Sequence, residues 1–154
     1  MDRTRYETLA DIDYAARLFG RHERLFGRFA KLLKLVTTGF ALAPIAALLE
    51  KIPKEYGLIF AALGATLSLI DLIYDPATTS CKHEHRRRDY QRLKASADTL
   101  ADAALLTRLE ELRVDDPAVV ESLKVPTYND LQLSLGHPPA RQLRWVENLL
   151  NILS

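Results

Sequence analysis

The residues that decide the fold are 35–74: LVTTGFALAPIAALL (35–49), EKIPKE (50–55), YGLIFAALGATLSLI (56–70) and DLIY (71–74). Two uncharged runs therefore flank a short polar turn that contains a proline. A helix that spans a membrane needs about 20 mostly apolar residues. The first run approaches that length if the side chain of Lys34 reaches the head groups, and the second if Asp71 lies near the interface. The pattern predicts a transmembrane helical hairpin with spans over 35–49 and 56–74.

A buried hairpin in a soluble helical bundle is the alternative for the same two runs. Both runs are apolar on every side, and a chain of 154 residues has little protein left to cover two such helices. The membrane interpretation is therefore favoured. About 30 residues of charged, amphipathic sequence precede the first run, so we do not expect it to be a signal peptide.

Amphipathic stripes predict helices on both sides of the hairpin. Over residues 1–34 the stripe is interrupted only by Glu23, and its members are Leu9, Ile12, Ala16, Phe19, Phe26, Ala30 and Leu33. A second long helix is expected within the region 82–153. Its stripe shifts by one residue after Ala104, and its members are Tyr90, Leu93, Ala97, Leu100, Ala104, Leu105, Leu109 and Leu112.

The second long helix is expected to stop at Asp115-Asp116-Pro117. Shorter helices are expected from near Thr127 to Gly136 and across 140–153. No β-strand alternation stands out. The predicted fold class is all-α, with the chain forming a single domain of 154 residues.

Flanking charge predicts the orientation of the hairpin. Six Lys or Arg residues lie between positions 15 and 34, and six more between positions 75 and 94. In the turn, Lys51 and Lys54 are balanced by Glu50 and Glu55. The positive-inside rule then places both termini in the cytoplasm, with the protein in the bacterial inner membrane. Tyr56 and Tyr74 flank the second span, where interfacial aromatic residues are expected.

Small and polar residues in the spans are the candidate pore or helix-packing positions. Small side chains four residues apart let helices approach closely in lipid, and polar groups in a span face the bundle interior or water. The candidates are Thr37, Thr38, Gly39, Ala43, Gly57, Ala61, Gly64, Ser68 and Asp71. The basic run Arg86, Arg87 and Arg88 follows the second span and is a candidate for topology or lipid-head-group contact. A phosphorylated ligand is the alternative for that run.

Chemistry-bearing motifs give no catalytic assignment. Cys81, His83 and His85 are zinc-ligand types, but alternate residues of one helix point in very different directions, so no metal site is predicted. Nucleophile motifs and glycine-rich phosphate loops do not occur in the sequence. A net charge of +1 argues against nucleic acid as a partner. We expect no enzyme activity and no cofactor.

The order of parts resembles the SLATT family, two-transmembrane effector domains associated with bacterial nucleotide-signalling and defence systems. The resemblance rests on RLFGRHERLFGRFAKLLK (17–34), the two closely spaced spans, HEHRRRDYQRLKASADTL (83–100) and PTYNDLQLSLG (126–136). It covers roughly residues 10–150. It implies oligomeric membrane pores that harm the cell once a linked sensor, here a separate protein, is triggered.

The leading hypothesis is therefore a membrane effector that forms homo-oligomers and permeabilises the inner membrane in anti-phage defence or cell suicide, with membrane lipids as partners. A phage-type holin or a superinfection-exclusion membrane protein is the second hypothesis. A soluble all-helical adaptor is the third, and it would apply if the hairpin does not enter a membrane.

Overall fold

The computed structural model describes residues 4–48 and 53–154, without the side chains of residues 43–48, 54 and 55. These residues form helices and no strand, which confirms the all-α prediction for the described part of the chain. The α-helices are α1 (Arg5–Leu48), α2 (Lys54–Tyr74), α3 (Pro76–Ser96), α4 (Asp102–Val114), α5 (Lys124–Ser134) and α6 (Trp145–Leu153). Two 3-10 turns lie at Ala97–Thr99 and Glu121–Leu123. Residues 50–52 of the predicted polar turn, and residue 49 at the end of the first predicted span, lie outside the described residues.

The helices form two compact units. Met1–Leu25 and Ser80–Ser154 together make one, which we call the discontinuous unit because its two segments are separated in sequence. Phe26–Thr79 makes the other, which we call the apolar unit. The sequence analysis treats the chain as one domain and contains no signal for this division.

The two amphipathic stripes meet in the core of the discontinuous unit. Phe19 stacks on Tyr90 with ring centroids 5.6 Å apart, and both side chains are almost fully buried. The core cluster contains residues of both stripes: Ile12, Ala16, Phe19, Tyr90, Leu93, Ala97, Leu105 and Leu109. The apolar residues whose three- and four-residue spacing predicted these helices are therefore the ones that pack in this core.

The second long helix of the sequence analysis is two helices, which corrects that prediction. α3 ends at Ser96, a 3-10 turn follows, Leu100 is extended, and α4 begins at Asp102. The one-residue shift of the stripe is the physical reason. Ala104, the last member before the shift, is exposed, whereas Leu105 is fully buried. A break in the helix is what lets residues beyond the shift face the same core.

Arg5 stabilises this break from the first turn of α1. Its guanidinium donates to the backbone carbonyls of Ala97 at 2.6 Å and Leu100 at 3.1 Å. It also pairs with Asp102 at 2.6 Å, in the first turn of α4. The Leu100 carbonyl lies beyond the 3-10 turn and receives a donor from Arg5, whereas the Ala97 carbonyl, which already accepts from the Leu100 N–H at 3.1 Å, gains a second donor.

α1 joins two elements that the sequence analysis kept apart, the amphipathic helix 1–34 and the first apolar run. Its start is fixed by a capping box. The Glu7 backbone N–H donates to Thr4 Oγ1 at 3.3 Å, and the Thr4 N–H donates to Glu7 Oε2 at 2.9 Å. The Thr-x-x-Glu spacing of these residues was a readable start signal that the sequence analysis did not use.

The last two helices are held to α1 by one arginine. Arg21 is 7% exposed, pairs with Asp130 of α5 and bonds to Asn151 of α6. It also donates to Ser154 Oγ at 3.0 Å. From α5, the side-chain amide of Asn129 donates to the carbonyl of Arg141, which lies in the loop between α5 and α6, at 2.8 Å. These polar contacts order a region whose stripe is short.

α2 presents its large apolar side chains outward within the apolar unit. The helical stretch Tyr56–Thr99 contains an 18-residue window with a mean hydropathy of 1.9, of which 11% is buried. By length and composition it is the one described helix that could cross a membrane. Its exposed large side chains are Tyr56, Leu58, Ile59, Leu63, Leu69, Leu72, Ile73 and Tyr74.

Candidate functional site

The predicted small residues of the apolar unit have different surroundings. Gly64 is buried, and a Cβ added there would lie 3.0 Å from the Cβ of Phe40. Phe40 in turn stacks on Phe60, with centroids 5.8 Å apart. Gly57 is also buried, and Ala61 is half-buried. Gly64 is thus the position at which α1 and α2 of one chain approach closely.

Gly39 faces open space. A Cβ added to Gly39 would meet no atom of the described residues within 4 Å, and the residue is exposed. Gly39 lines an apolar groove of about 360 Å³ with Val36, Phe40 and Phe60. The structure therefore separates two glycines that the sequence analysis grouped, one packed within the chain and one open. The side chain of Ala43 lies outside the described residues.

Hydroxyl groups of the apolar unit bond to their own helix. Thr37 donates to the Leu33 carbonyl at 2.9 Å, and Ser68 donates to the Gly64 carbonyl at 2.9 Å. Such bonds to the preceding turn satisfy a hydroxyl without water. Thr38 is exposed and Asp71 is half-buried. The pore-lining role of these residues stays a prediction, because a pore would require several copies of the chain.

Each arginine of the basic run pairs with an acidic side chain. Arg86 lies 3.3 Å from Asp116 and also donates to the Asp115 carbonyl at 2.6 Å. Arg87 pairs with Glu23 at 2.7 Å, and Arg88 pairs with Glu84. Glu23 is the residue that interrupts the first stripe, and this ion pair accounts for the interruption. The topology and lipid-contact role of the three arginines stays a prediction.

Two buried histidines, His22 and His83, lie beside the core aromatic rings. Their ring centroids are 4.8 Å apart, and His83 stacks on Phe19 at 5.7 Å. The His22 Nδ1 lies 2.8 Å from the Leu18 carbonyl, and its Nε2 accepts from the Val120 N–H at 2.7 Å. Nδ1 therefore donates, Nε2 accepts, and the imidazole is neutral.

Burial controls the protonation of both histidines. Burial lowers the pKa of His22, and the hydrogen bond to the Leu18 carbonyl only partly opposes this effect. Burial, together with the neighbouring His22, lowers the pKa of His83 to about 4. The sequence analysis considered His83 only as a metal ligand and did not single out His22 as a core residue.

The ligand types near position 83 do not form a cluster. Cys81 and His85 are exposed, whereas His83 is fully buried. Among the residues that the structure describes, no three His, Cys, Asp or Glu side chains come together in a way that could hold a metal ion. The helical geometry of α3 places His83 on a different face from Cys81 and His85, which are four residues apart and share the exposed face.

A half-buried acid, Asp116, contacts the core residue Tyr90. The Tyr90 hydroxyl donates to Asp116 Oδ2 at 2.8 Å. Burial raises the pKa of the Asp116 carboxyl, against the lowering effects of the Tyr90 hydrogen bond and the Arg86 charge. Burial and the Asp116 hydrogen bond raise the pKa of Tyr90. This group ties α3 to the segment that follows α4.

Comparison with protein-family models, curated proteins and solved structures finds no match to this chain. The resemblance to the SLATT family therefore rests on the order and spacing of the parts alone.

Proposed function

We propose that this protein is a non-enzymatic membrane effector that inserts through its apolar unit, self-associates and permeabilises the bacterial inner membrane. The observation that carries the proposal is the exposure of α2. Apolar side chains cover this helix, yet little of its apolar window is buried. A core helix of a soluble protein would be covered by the rest of the chain.

The exposed apolar side chains of α2 favour transfer of this helix from water to lipid. Burying a large aliphatic or aromatic side chain is worth about 1.5–3 kcal/mol, and α2 leaves eight such side chains exposed. Lipid removes that apolar surface from water, and the helix satisfies its own backbone hydrogen bonds. A membrane is therefore the environment that fits α2.

Self-association is the second step of the proposal. Helices associate in lipid through close packing at small residues. Phe40 of the same chain already packs against Gly64, whereas Gly39 borders an open apolar groove. We place the contact with a second copy at the Gly39 groove. The SLATT-like layout, together with the half-buried Asp71, supports a pore as the outcome.

Carbonate extraction and dye release test the proposal. We expect the protein to stay in the membrane pellet after carbonate treatment and to release a small dye from liposomes. Leu63→Arg puts a charge near the middle of α2, at a cost of about 2.5–3.5 kcal/mol to insertion, and should abolish both. Leu133→Arg is the matched control, because Leu133 is an exposed leucine of the discontinuous unit. Quantitative carbonate extraction of the wild type would contradict membrane insertion.

A further inference from the structure

Five cationic side chains line one groove of the discontinuous unit. The groove has a volume of about 440 Å³ and lies between α1 and α3. Its cations are Arg17, Arg21, Arg24, Arg87 and Lys94. The sequence analysis did not find this set, because its five members come from two helices, α1 and α3, whose pairing only the fold shows.

The acidic partners of these cations are too few to neutralise them. Asp13 is shared by Arg17, at 2.8 Å, and Lys94, at 2.5 Å. Arg21 has Asp130, and Arg87 has Glu23. Among the residues that the structure describes, these five cations thus pair with three carboxylates, which leaves an excess of two positive charges.

Arg24 is the source of one of those charges. It is exposed, lines the groove, and makes no ion pair with the residues that the structure describes. Arg17 is held in place at the rim, since its Nη2 donates to Ser134 Oγ at 3.1 Å and its Nε donates to Asp13. Guanidinium groups are planar forks that match phosphate oxygens.

Asp13 and Gly20 fix the positions of the cationic side chains in the groove. Burial alone would raise the pKa of Asp13, but hydrogen bonds from Lys94 and Arg17 lower it overall, so Asp13 stays ionised and holds both cations in place. Gly20 lies in the groove, and a Cβ there would come within 3.0 Å of Arg87 Cδ. The missing side chain lets Arg87 lie against α1.

We infer that this groove binds a phosphate-bearing anion. Two uncompensated positive charges match a group such as a diphosphate, and the guanidinium groups that ion pairs already hold, those of Arg17, Arg21 and Arg87, lose little entropy when they bind it. The same chemistry belongs to a free phosphorylated solute and to the head group of an anionic phospholipid. The inference does not depend on pore formation.

Calorimetric titration of the full-length protein with inorganic pyrophosphate tests the site. The wild type and the variants are compared in nanodiscs of phosphatidylcholine. We expect Arg24→Gln to weaken pyrophosphate binding by about tenfold or more, without loss of folding, since Arg24 holds no ion pair. Arg92→Gln makes the same charge change at an exposed residue of α3 that does not line the groove, and it should leave binding unchanged.

A second arm distinguishes the two sources of phosphate. In nanodiscs that also contain phosphatidylglycerol, a head group in the groove would weaken pyrophosphate binding by the wild type and raise its melting temperature, but not that of Arg24→Gln. An unchanged pyrophosphate affinity would assign the groove to a soluble anion. The inference is overturned if pyrophosphate and phosphatidylglycerol have no effect, or if Arg24→Gln and Arg92→Gln behave alike.

Discussion

Gly39 and Gly64 lie in the same apolar unit and have opposite surroundings. A side chain at Gly64 would meet Phe40, whereas a side chain at Gly39 would enter open space. We expect Gly39→Leu to preserve the fold of the chain and to fill the groove in which a second copy would pack. Crosslinking in membranes should then show loss of the oligomer ladder with unchanged insertion.

Gly64→Leu is the companion variant for this prediction. It should lower the melting temperature, because the leucine must displace Phe40 within one chain. If Gly39→Leu leaves the crosslinked ladder intact, the Gly39 groove is not the contact between copies. Small-residue spacing predicts both glycines equally, and only the geometry of the folded chain separates their roles.

The pair His22 and His83 makes the discontinuous unit sensitive to acid. Both side chains are fully buried and have a lowered pKa, that of His83 reaching about 4. Above pH 6.5 the histidines are neutral in both folded and unfolded chains. As pH falls from about 6.5 toward 4, the unfolded chain takes up protons that the folded unit resists. The free energy of unfolding then falls by up to about 1.4 kcal/mol per pH unit for each histidine.

We expect the melting temperature of the detergent-solubilised protein to drop between pH 7 and pH 5. The fluorescence of Trp145, the single tryptophan of the chain, reports on the discontinuous unit. His83→Phe keeps an aromatic ring beside Phe19 and should reduce the drop. His85→Gln, at an exposed histidine, should not change it. An equal drop in the wild type and His83→Phe would show that other groups control the acid response.

The burial of His83 could not be predicted from the sequence around it. His83 lies in a polar run between Cys81 and His85, and no local pattern marks it as buried. Its burial results from the pairing of α1 with α3, which brings it next to Phe19 and His22. Residue type predicted a possible ligand, whereas the packing of two distant segments makes the side chain part of the core.

At the scale of elements, Asp75 ends one helix and starts the next. It is the one described non-glycine residue with a positive φ, at 35°. Its backbone N–H donates to the Asp71 carbonyl at 2.9 Å, and its Oδ1 accepts from the Thr78 N–H at 3.1 Å. Pro76 occupies the first position of α3, where a missing N–H costs nothing.

Substitutions at Asp75 should separate the backbone effect from the cap. Asp75→Asn keeps both a capping oxygen and a side chain that tolerates positive φ, so we expect a change in unfolding free energy below about 0.5 kcal/mol. Asp75→Ala loses the cap and should cost about 1–2 kcal/mol. Denaturant unfolding in micelles measures both. Equal stability of the Asn and Ala variants would exclude the cap as a stabilising contact.

The elements themselves were largely predictable, and their breaks were less so. The stripes located α1, α3 and α4 because the same periodicity determines which side chains leave water. The break at Ala97–Thr99 was visible only as a one-residue shift of the stripe, and two carbonyls at the break, those of Ala97 and Leu100, are bound by Arg5, more than 90 positions away in the sequence. Local patterns do not contain such a long-range partner.

At the scale of the whole molecule, the discontinuous unit has a core of its own. Every residue of the core cluster belongs to Met1–Leu25 or Ser80–Ser154. The two segments meet where the apolar unit begins and ends in sequence, since Ser80 Oγ donates to the Glu23 carbonyl at 2.8 Å. A short connection could therefore replace residues 26–79 without moving either segment.

We expect a chain in which a Gly/Ser linker of about six residues replaces residues 26–79 to fold without detergent. Such a linker spans roughly 13 Å on average, more than the gap it must close. Circular dichroism should show a helical protein with a cooperative melt, and fractionation should place it in the supernatant, whereas we expect the full chain to pellet with membranes.

The outcome decides which part of the molecule meets the bilayer. A supernatant protein assigns membrane attachment to the apolar unit, as the exposure of α2 requires. If the shortened chain folds but still pellets with membranes, attachment involves the discontinuous unit instead. The exposed apolar face of α6 is then the place to look, since Trp145 is 79% and Ile152 is 69% exposed. Trp145→Ser in the shortened chain should release it, because an interfacial helix binds through its buried apolar area.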